Sequence, residues 1–446
     1  MPDRDASETK LRLPPSATSF SLNLIALAVL LGTLGVLHWR HFTNIDPMIV
    51  LMCSLSLPVV LIDILVLRVH RRPSTGLDWD KPRPPDLLRV VTKFLGLLLT
   101  LSTIALAYWA FPEYHGSFYD PLWNVLRRET LRLIPLPAWI SLLAVAGMYI
   151  WFVDGLMREP RDTYWQLGRL LLGRFSDARG PDIANHFRGW LVKAYFFPLM
   201  FVWLSGSVHN LIYFDLTNAT WSNLRLYDYL YTLVFGVDLL FTTAGYALSL
   251  RVIDTHIRTA EPTMYGWTVA LFCYQPFFSL MEKQYVSYGG DVSFGGWLEG
   301  WPIVRGVWAV VIIALLATYS LATVAFGVRF SNLTHRGILT GGPYRFSKHP
   351  AYLTKNLSWW LISIPFLHSP PITAIQHSIA LACINTIYFL RARTEERHLS
   401  RDADYVAYAL WMNEHGLLRF VGRWIPALRY KPPAQTAPIA LPVAAE

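Results

Sequence analysis

Two polar stretches hold most of the side chains in this sequence that are equipped to handle a charged small molecule. The first, THRGILTGGPYRFSKHPAYLTKN (334–356), crowds glycines, two prolines, two tyrosines, lysines, arginines and histidines into one connector. The second, RARTEERHLSRDADYVAYALW (391–411), sets a pair of glutamates among arginines. A charged small molecule with an aromatic part needs both signs of charge and flat apolar walls around it. Glu395 and Glu396 are suited to accept hydrogen bonds from hydroxyls or an ammonium, and Lys348, Arg397 and Arg401 to pair with a carboxylate. Tyr344 and Tyr352 offer ring faces for stacking or cation–π contact. His349 is placed to donate an orienting hydrogen bond, with Pro350 fixing the first turn of the helix that follows. Alone, a Lys-His-Pro helix start reads as a solvated terminus and a Glu-Glu pair beside arginines as a surface salt-bridge cluster. Their joint occurrence at the two ends of one apolar hairpin is what points to a site.

That hairpin consists of the apolar windows 355–368 and 372–391, joined at Ser369-Pro370-Pro371. A helical hairpin that leaves one face and returns to it brings its ends together, so Lys348, His349 and Tyr352 are expected to approach Glu395, Glu396 and Arg397. The shortness of the first window leaves two forms open, a pair of full spans or a re-entrant hairpin. The rest of the chain has the same character. Of 446 residues 53% are hydrophobic and only 15% charged, a balance too apolar for a soluble globule of this length. Further windows of membrane-crossing length lie near 19–39, 48–68, 92–112, 136–156, 190–211, 227–249, 265–282 and 303–325. The expected fold is all-α, a polytopic membrane bundle of about ten transmembrane segments.

Cations are concentrated in alternate connectors. Arg68, Arg71, Arg72, Lys81 and Arg83 follow the second window, Arg158, Arg161, Arg169, Arg174 and Arg179 the fourth, and Arg329, Arg336, Arg345 and Lys348 the eighth. The positive-inside bias then places the N and C termini, and the 334–356 connector, in the cytoplasm. This makes an integral, multi-pass protein of a membrane with a cytoplasmic face, such as a bacterial inner membrane. The net charge of +9 is read as topology and attraction to anionic membrane lipids; no compact basic domain stands apart from the spans, so nucleic-acid binding is not expected. Cys53, Cys273 and Cys383 each fall inside a window and are too scattered for a zinc site or a disulfide framework, so no metal is expected. The chain divides into an N-terminal multi-span region (1–300), a C-terminal membrane unit (301–430) and a Pro/Ala-rich tail (431–446) expected to be disordered. Segment 163–175 is a possible cytoplasmic helix, and WNVLRRETLRLI an amphipathic stretch suited to the interface.

At Gly342-Pro343-Tyr344, Lys348-His349-Pro350-Ala351-Tyr352 and Glu395-Glu396, with Leu399, Tyr405 and Tyr408 beyond, the sequence resembles the isoprenylcysteine carboxyl methyltransferase and phospholipid methyltransferase group of membrane enzymes. The resemblance covers about the last third of the chain. It implies S-adenosylmethionine as methyl donor, bound at the cytoplasmic mouth of a methyltransferase-like hairpin by Gly342, Tyr344, Lys348, His349, Pro350, Tyr352, Glu395, Glu396, Arg397 and Arg401. It implies a lipid-like or prenylated acceptor, which could be a prenylcysteine carboxylate, an aminolipid nitrogen or a lipophilic thiol. The sequence departs from the group's pattern at Lys348, where arginine is usual, and at Thr354, where glycine is usual. Asp238, midway along the sixth window, divides between a structural partner and a pocket residue. Arg251, Asp254, His256, Arg258 and Glu261, on a connector that shares the expected cytoplasmic face, are candidates for shaping the acceptor site. Two other functions fit less of the pattern: a sterol-reductase-like oxidoreductase using NADPH, and a transporter or non-catalytic membrane scaffold.

Overall fold

Long apolar runs, punctuated by prolines and by aspartates that close helix starts, set the element order. The structure is a computed structural model and describes residues 12–40, 46–127, 129–131, 134–290 and 292–433. The expected tail lies almost entirely outside the described residues. Eight helices make the N-terminal region: α1 (Phe20–Arg40), α2 (Pro47–Leu61), α3 (Leu87–Ala110), α4 (Asp120–Arg127), α5 (Ala138–Asp154), α6 (Thr163–Leu171), α7 (Gly180–Tyr213) and α8 (Arg225–Ala247). Short helices α9 (Met264–Leu271), α10 (Phe277–Gln284) and α11 (Phe294–Trp297) lead to α12 (Pro302–Phe326), α13 (Pro350–Ser363), α14 (Pro371–Leu399), α15 (Ala403–His415) and α16 (Arg419–Trp424). Asp46, Asp86, Asp162 and Asp402 each accept a backbone N–H at the start of α2, α3, α6 and α15, satisfying donors that the first turn leaves free.

Among the described residues, strand is confined to two small antiparallel ladders, β1 (Glu129–Leu131) with β2 (Ile134–Pro137) and β3 (Thr259–Ala260) with β4 (Thr334–His335). Of the amphipathic stretch WNVLRRETLRLI, the opening residues belong to α4 and Glu129–Leu131 to β1. Of the stretch 163–175, expected to be partly helical, Thr163–Leu171 forms α6.

Among the described residues, seven helices are long and apolar enough to cross a membrane: Phe20–Arg40, Pro47–Val66, Leu87–Ala110, Gly180–Tyr213, Arg225–Ala247, Pro302–Arg329 and Pro371–Leu399. The chain is therefore read as a multi-pass membrane protein. The expected count of about ten falls short because three windows are broken or truncated. Window 136–156 yields the 17-residue α5. Window 265–282 is cut by Pro276 into α9 and α10, eight residues each. Window 355–368 ends at Ile364, which takes a left-handed φ of 37° ahead of Pro365, leaving α13 with 14 residues. Such a helix rises only about 21 Å against a hydrocarbon core of about 30 Å.

The main core gathers α1, α2, α7 and α8 around Leu30, Leu51, Phe196, Leu204 and Phe241, all fully buried. Large apolar side chains such as Ile25, Val36, Leu57, Val307 and Ile375 remain exposed on the outer faces of the long helices, as lipid contact requires. α12 packs against α8 and α13, and so joins the C-terminal unit to the N-terminal region. Asp254, 1% exposed, reinforces the junction with ion pairs to Arg258 (3.5 Å) and to Arg329 beyond α12 (3.4 Å). At the N-terminal edge, α3 is pinned to α5 by Arg89 Nη2 and Lys93 Nζ, 2.6 and 2.9 Å from Asp154.

The closest helix contact is between α3 and α6, where a Cβ at Gly96 would collide with the Tyr164 carbonyl and a Cβ at Gly168 with the Thr92 carbonyl. Small residues let two backbones meet in this way. Gly168→Ala is therefore expected to cost about 1–3 kcal/mol and lower the thermal midpoint in detergent. Gly180→Ala, where nothing lies within 4 Å of the new methyl, should leave the midpoint near wild type.

Candidate functional site

Pro350 opens α13 at its first turn, and α14 returns beside it, so the two polar stretches meet as their spacing predicts. Glu396, with its side chain 6% exposed, is the meeting point. Lys348 Nζ lies 2.5 Å from Glu396 Oε1, an ion pair whose angle is off the hydrogen-bond axis. His349 Nε2 is 3.3 Å from the same oxygen, and Arg393 Nη1 donates to Oε2 at 2.6 Å. Glu395 Oε2 accepts from the Tyr352 hydroxyl at 2.8 Å, and the Tyr352 ring lies parallel to His349 at 5.5 Å.

Consecutive helical residues point about 100° apart, so the two glutamates serve different spaces. Glu395 lines a cavity of about 970 Å³, open mouth included, together with Tyr344, Lys348, His349, Tyr352, Arg391 and Asn332. Glu396 lines a neighbouring cavity of about 950 Å³ between the hairpin and α15–α16. Lys348, His349 and Tyr352 form the partition, lining both. Both signs of charge and several aromatic walls thus surround the first cavity. Glu395 Oε1 has no protein partner among the described residues and is available to a ligand donor.

Not every predicted site residue lies there. Tyr344 does, held by its carbonyl oxygen accepting from Tyr408 Oη at 2.6 Å; burial pushes its phenol well above the ordinary range. Gly342 is a structural turn outside the cavity, with φ +59° and the Phe20 ring 2.8 Å from where a Cβ would sit. Pro350 is buried as a helix starter and does not line the cavity. Arg397 points away, donating to Thr263 Oγ1 at 2.8 Å and lying 3.6 Å from Glu261 Oε1. Arg401 is exposed and outside the cavity. Thr354, where the group has glycine, turns its hydroxyl onto the Pro350 carbonyl at 3.0 Å and does not intrude.

The structure adds Tyr274, Asn332, Lys355, Tyr388 and Arg391. Arg391 Nη2 donates to Asn332 Oδ1 at 2.5 Å, and its guanidinium packs on the rings of Tyr274 and Tyr352 at 5.2 and 5.1 Å. A sequence signal existed for three of them. Tyr388, Arg391 and Glu395 recur at i, i+3 and i+7, and Tyr352 and Lys355 at i and i+3, so each set shares a helix face. Tyr274 and Asn332 come from distant segments and carried no local signal.

A larger chamber of about 1420 Å³ adjoins the first cavity and shares Tyr274, Tyr319, Phe330, Lys355 and Tyr388 with it. The Lys355 ammonium lies 5.1, 5.3 and 5.9 Å from the rings of Tyr319, Trp359 and Tyr388, at the junction of the two spaces. Asp238 lines this chamber and accepts from Tyr319 Oη at 2.8 Å and Thr323 Oγ1 at 2.5 Å. Of the connector candidates, Glu261 lines the first cavity, whereas Arg251, His256 and Arg258 line neither space. They turn instead towards a separate cavity among α3, α5, α6 and α7, because the β3–β4 pairing rotates the connector between Arg258 and Glu261.

His256 is strongly affected by where it sits. Burial, with Arg251 and Arg258 nearby, pushes its imidazole down from the ordinary range to about 2. The unfolded chain takes up this proton near pH 6.5 and the folded chain does not, so stability falls on acidification below that pH. Between pH 6.5 and 5 the loss should reach about 2 kcal/mol. Thermal melts of wild type and His256→Gln at pH 8, 6.5 and 5 should show the variant losing part of the acid sensitivity.

No curated protein sequence and no solved structure matches the chain. Residues 306–401, which span most of α12, the connector, α13 and α14 and hold both halves of the Lys348–Glu396 constellation, match the model of the isoprenylcysteine carboxyl methyltransferase (ICMT) family, and the match points to a membrane methyltransferase.

Proposed function

We propose that this protein is a membrane-embedded methyltransferase that draws its methyl group from S-adenosylmethionine and acts on a lipid-like or isoprenylated acceptor, with carboxyl O-methylation favoured. The observation that carries this reading is the cavity at the ends of the α13–α14 hairpin, lined by opposite charges and aromatic rings and adjoining a chamber set among long apolar helices. The distribution of cations supports an orientation with both termini and the cavity mouth in the cytoplasm and membrane lipids around the long helices.

The residues present fit such a donor. Glu395, with one free carboxylate oxygen, suits ribose hydroxyls or an ammonium. Lys348, His349 and Arg391 suit a carboxylate, and Tyr344 and Tyr352 offer faces to an adenine or a sulfonium. S-adenosylmethionine, when bound, supplies an electrophilic methyl group. That methyl group would pass to the acceptor's lone pair in a single displacement, with the carbon–sulfur electron pair leaving on sulfur. The protein's part in such a displacement is to align the two partners and exclude water. The Tyr352–Glu395 hydrogen bond and the stacking of Arg391 on Tyr352 hold the walls in place for that alignment. A carboxylate acceptor arrives already deprotonated and needs no general base. Lys355, among three rings where the two spaces meet, is placed to attract such an anion.

Titration of the purified protein in detergent with S-adenosylmethionine and with NADPH tests the reading. The methyl donor should bind, and Glu395→Gln or His349→Ala should weaken it about tenfold or more, or about 1.4 kcal/mol. Binding of NADPH without binding of the methyl donor would overturn the proposal in favour of an oxidoreductase, and binding of neither in favour of a scaffold.

A further inference from the structure

We propose that the N-terminal region contains a second ligand site, a phosphate-binding pocket enclosed by α3, α5, α6, α7 and the connector after α8. The cavity measures about 1130 Å³, open mouth included, and shares no lining residue with the proposed donor cavity. Lys93, Lys193, Arg251, Arg258, His186 and His256 line it, and Asp162 is the one carboxylate that does.

The partners of these groups leave positive charge over. Lys93 is neutralised by Asp154 at 2.9 Å and reaches Asp162 at 3.9 Å, and Arg258 lies 3.5 Å from Asp254. Lys193 has no carboxylate within ion-pair distance among the described residues; its ammonium rests on the Trp190 ring at 4.6 Å. Arg251 likewise has none, and donates only to the Thr75 carbonyl at 3.2 Å. His256 Nδ1 and Arg258 Nε are buried with no hydrogen-bond partner. Buried cations and unmet donors are costly unless an anion answers them. A tetrahedral oxyanion accepts several hydrogen bonds at once, and an ammonium, two guanidiniums and an imidazole supply them from two separate elements.

The depth of the site suits the same chemistry. Lys93 lies in the second turn of α3, and Arg251–Arg258 sit on the connector beyond the end of α8, at the level where lipid phosphates meet the cytoplasmic ends of spans and basic pockets between helices take anionic headgroups. The phosphate could belong to such a headgroup or to a soluble phosphorylated molecule. The site is also tied to the donor cavity, since the Arg258 N–H donates to the His335 carbonyl at 3.0 Å and Glu261, three residues on, lines that cavity.

The full-length protein in phosphatidylcholine nanodiscs provides the test, with thermal midpoints read in three conditions: lipid alone, about a fifth of the lipid replaced by phosphatidylglycerol, and soluble sn-glycerol 3-phosphate added. Wild type should gain stability with at least one anionic probe; a gain with phosphatidylglycerol but not with glycerol phosphate assigns a headgroup, and a gain with glycerol phosphate a soluble ligand. Lys193→Met should lose the gain while melting at or above wild type in phosphatidylcholine, because an unpaired ammonium has gone. Arg251→Gln should weaken the response to the same probe by about tenfold in apparent affinity and decides the matter if Lys193→Met fails to fold. No response of wild type to either probe, or an undiminished response in both variants, would overturn the proposal.

Discussion

The carboxylate of Glu396 is gripped by Lys348 and His349 from the turn before α13 and by Arg393 from its own helix. A buried carboxylate is tolerated only where cations and hydrogen bonds surround it, and removing one partner leaves the rest exposed to an uncompensated desolvation cost. The clamp therefore locks α14 against α13 in one rotation and one register. From that rotation follows the direction of every residue on the same face. Glu395 turns into the first cavity, Arg391 reaches Asn332, and Tyr388 closes the wall beside Lys355. The proposed donor pocket is less a set of ligand contacts than a consequence of how this ion cluster seats one helix on another.

Chemical character changes with depth. Near the mouth, charged groups are paired across elements, as at Tyr352–Glu395 and Arg397–Thr263. Deeper, the charges thin out to Asp238, satisfied by two hydroxyls, and Lys355, bounded by three rings. Aromatic faces attract a cation without presenting a competing carboxylate. This keeps the Lys355 ammonium available where the polar cavity passes into the apolar chamber. A molecule with an anionic head and a long apolar body matches that gradient.

The N-terminal region also holds the connectors from which the mouth is built. Arg329, just past α12, meets Asp254 from the connector after α8, and the β3–β4 ladder pairs that connector with the segment before the Gly-Pro-Tyr turn. Further out, residues 14–17 hydrogen-bond to Ile338 and Thr340 and so strap the start of the chain across the same segment. The segment that shapes the proposed donor site is thus fastened from three directions by parts of the chain that precede it.

The sequence by itself determined the membrane class, the helical fold and the pairing of 334–356 with 391–411, because composition, hydrophobic window length and hairpin geometry are local properties. It also marked Lys348, His349, Tyr352, Glu395 and Glu396 through their joint pattern at the hairpin ends. The number of full spans was not legible in hydropathy alone. Pro276, and the turn at Ile364 and Pro365, cut apolar windows that hydropathy counted as whole. Nor were the directions of Gly342, Arg397 and Arg401, or the use of Arg251, His256 and Arg258 away from the hairpin. A residue's type says what it is able to bind, but the space it faces is set by helix rotation and by contacts between segments far apart in the chain, and those only the tertiary structure decided.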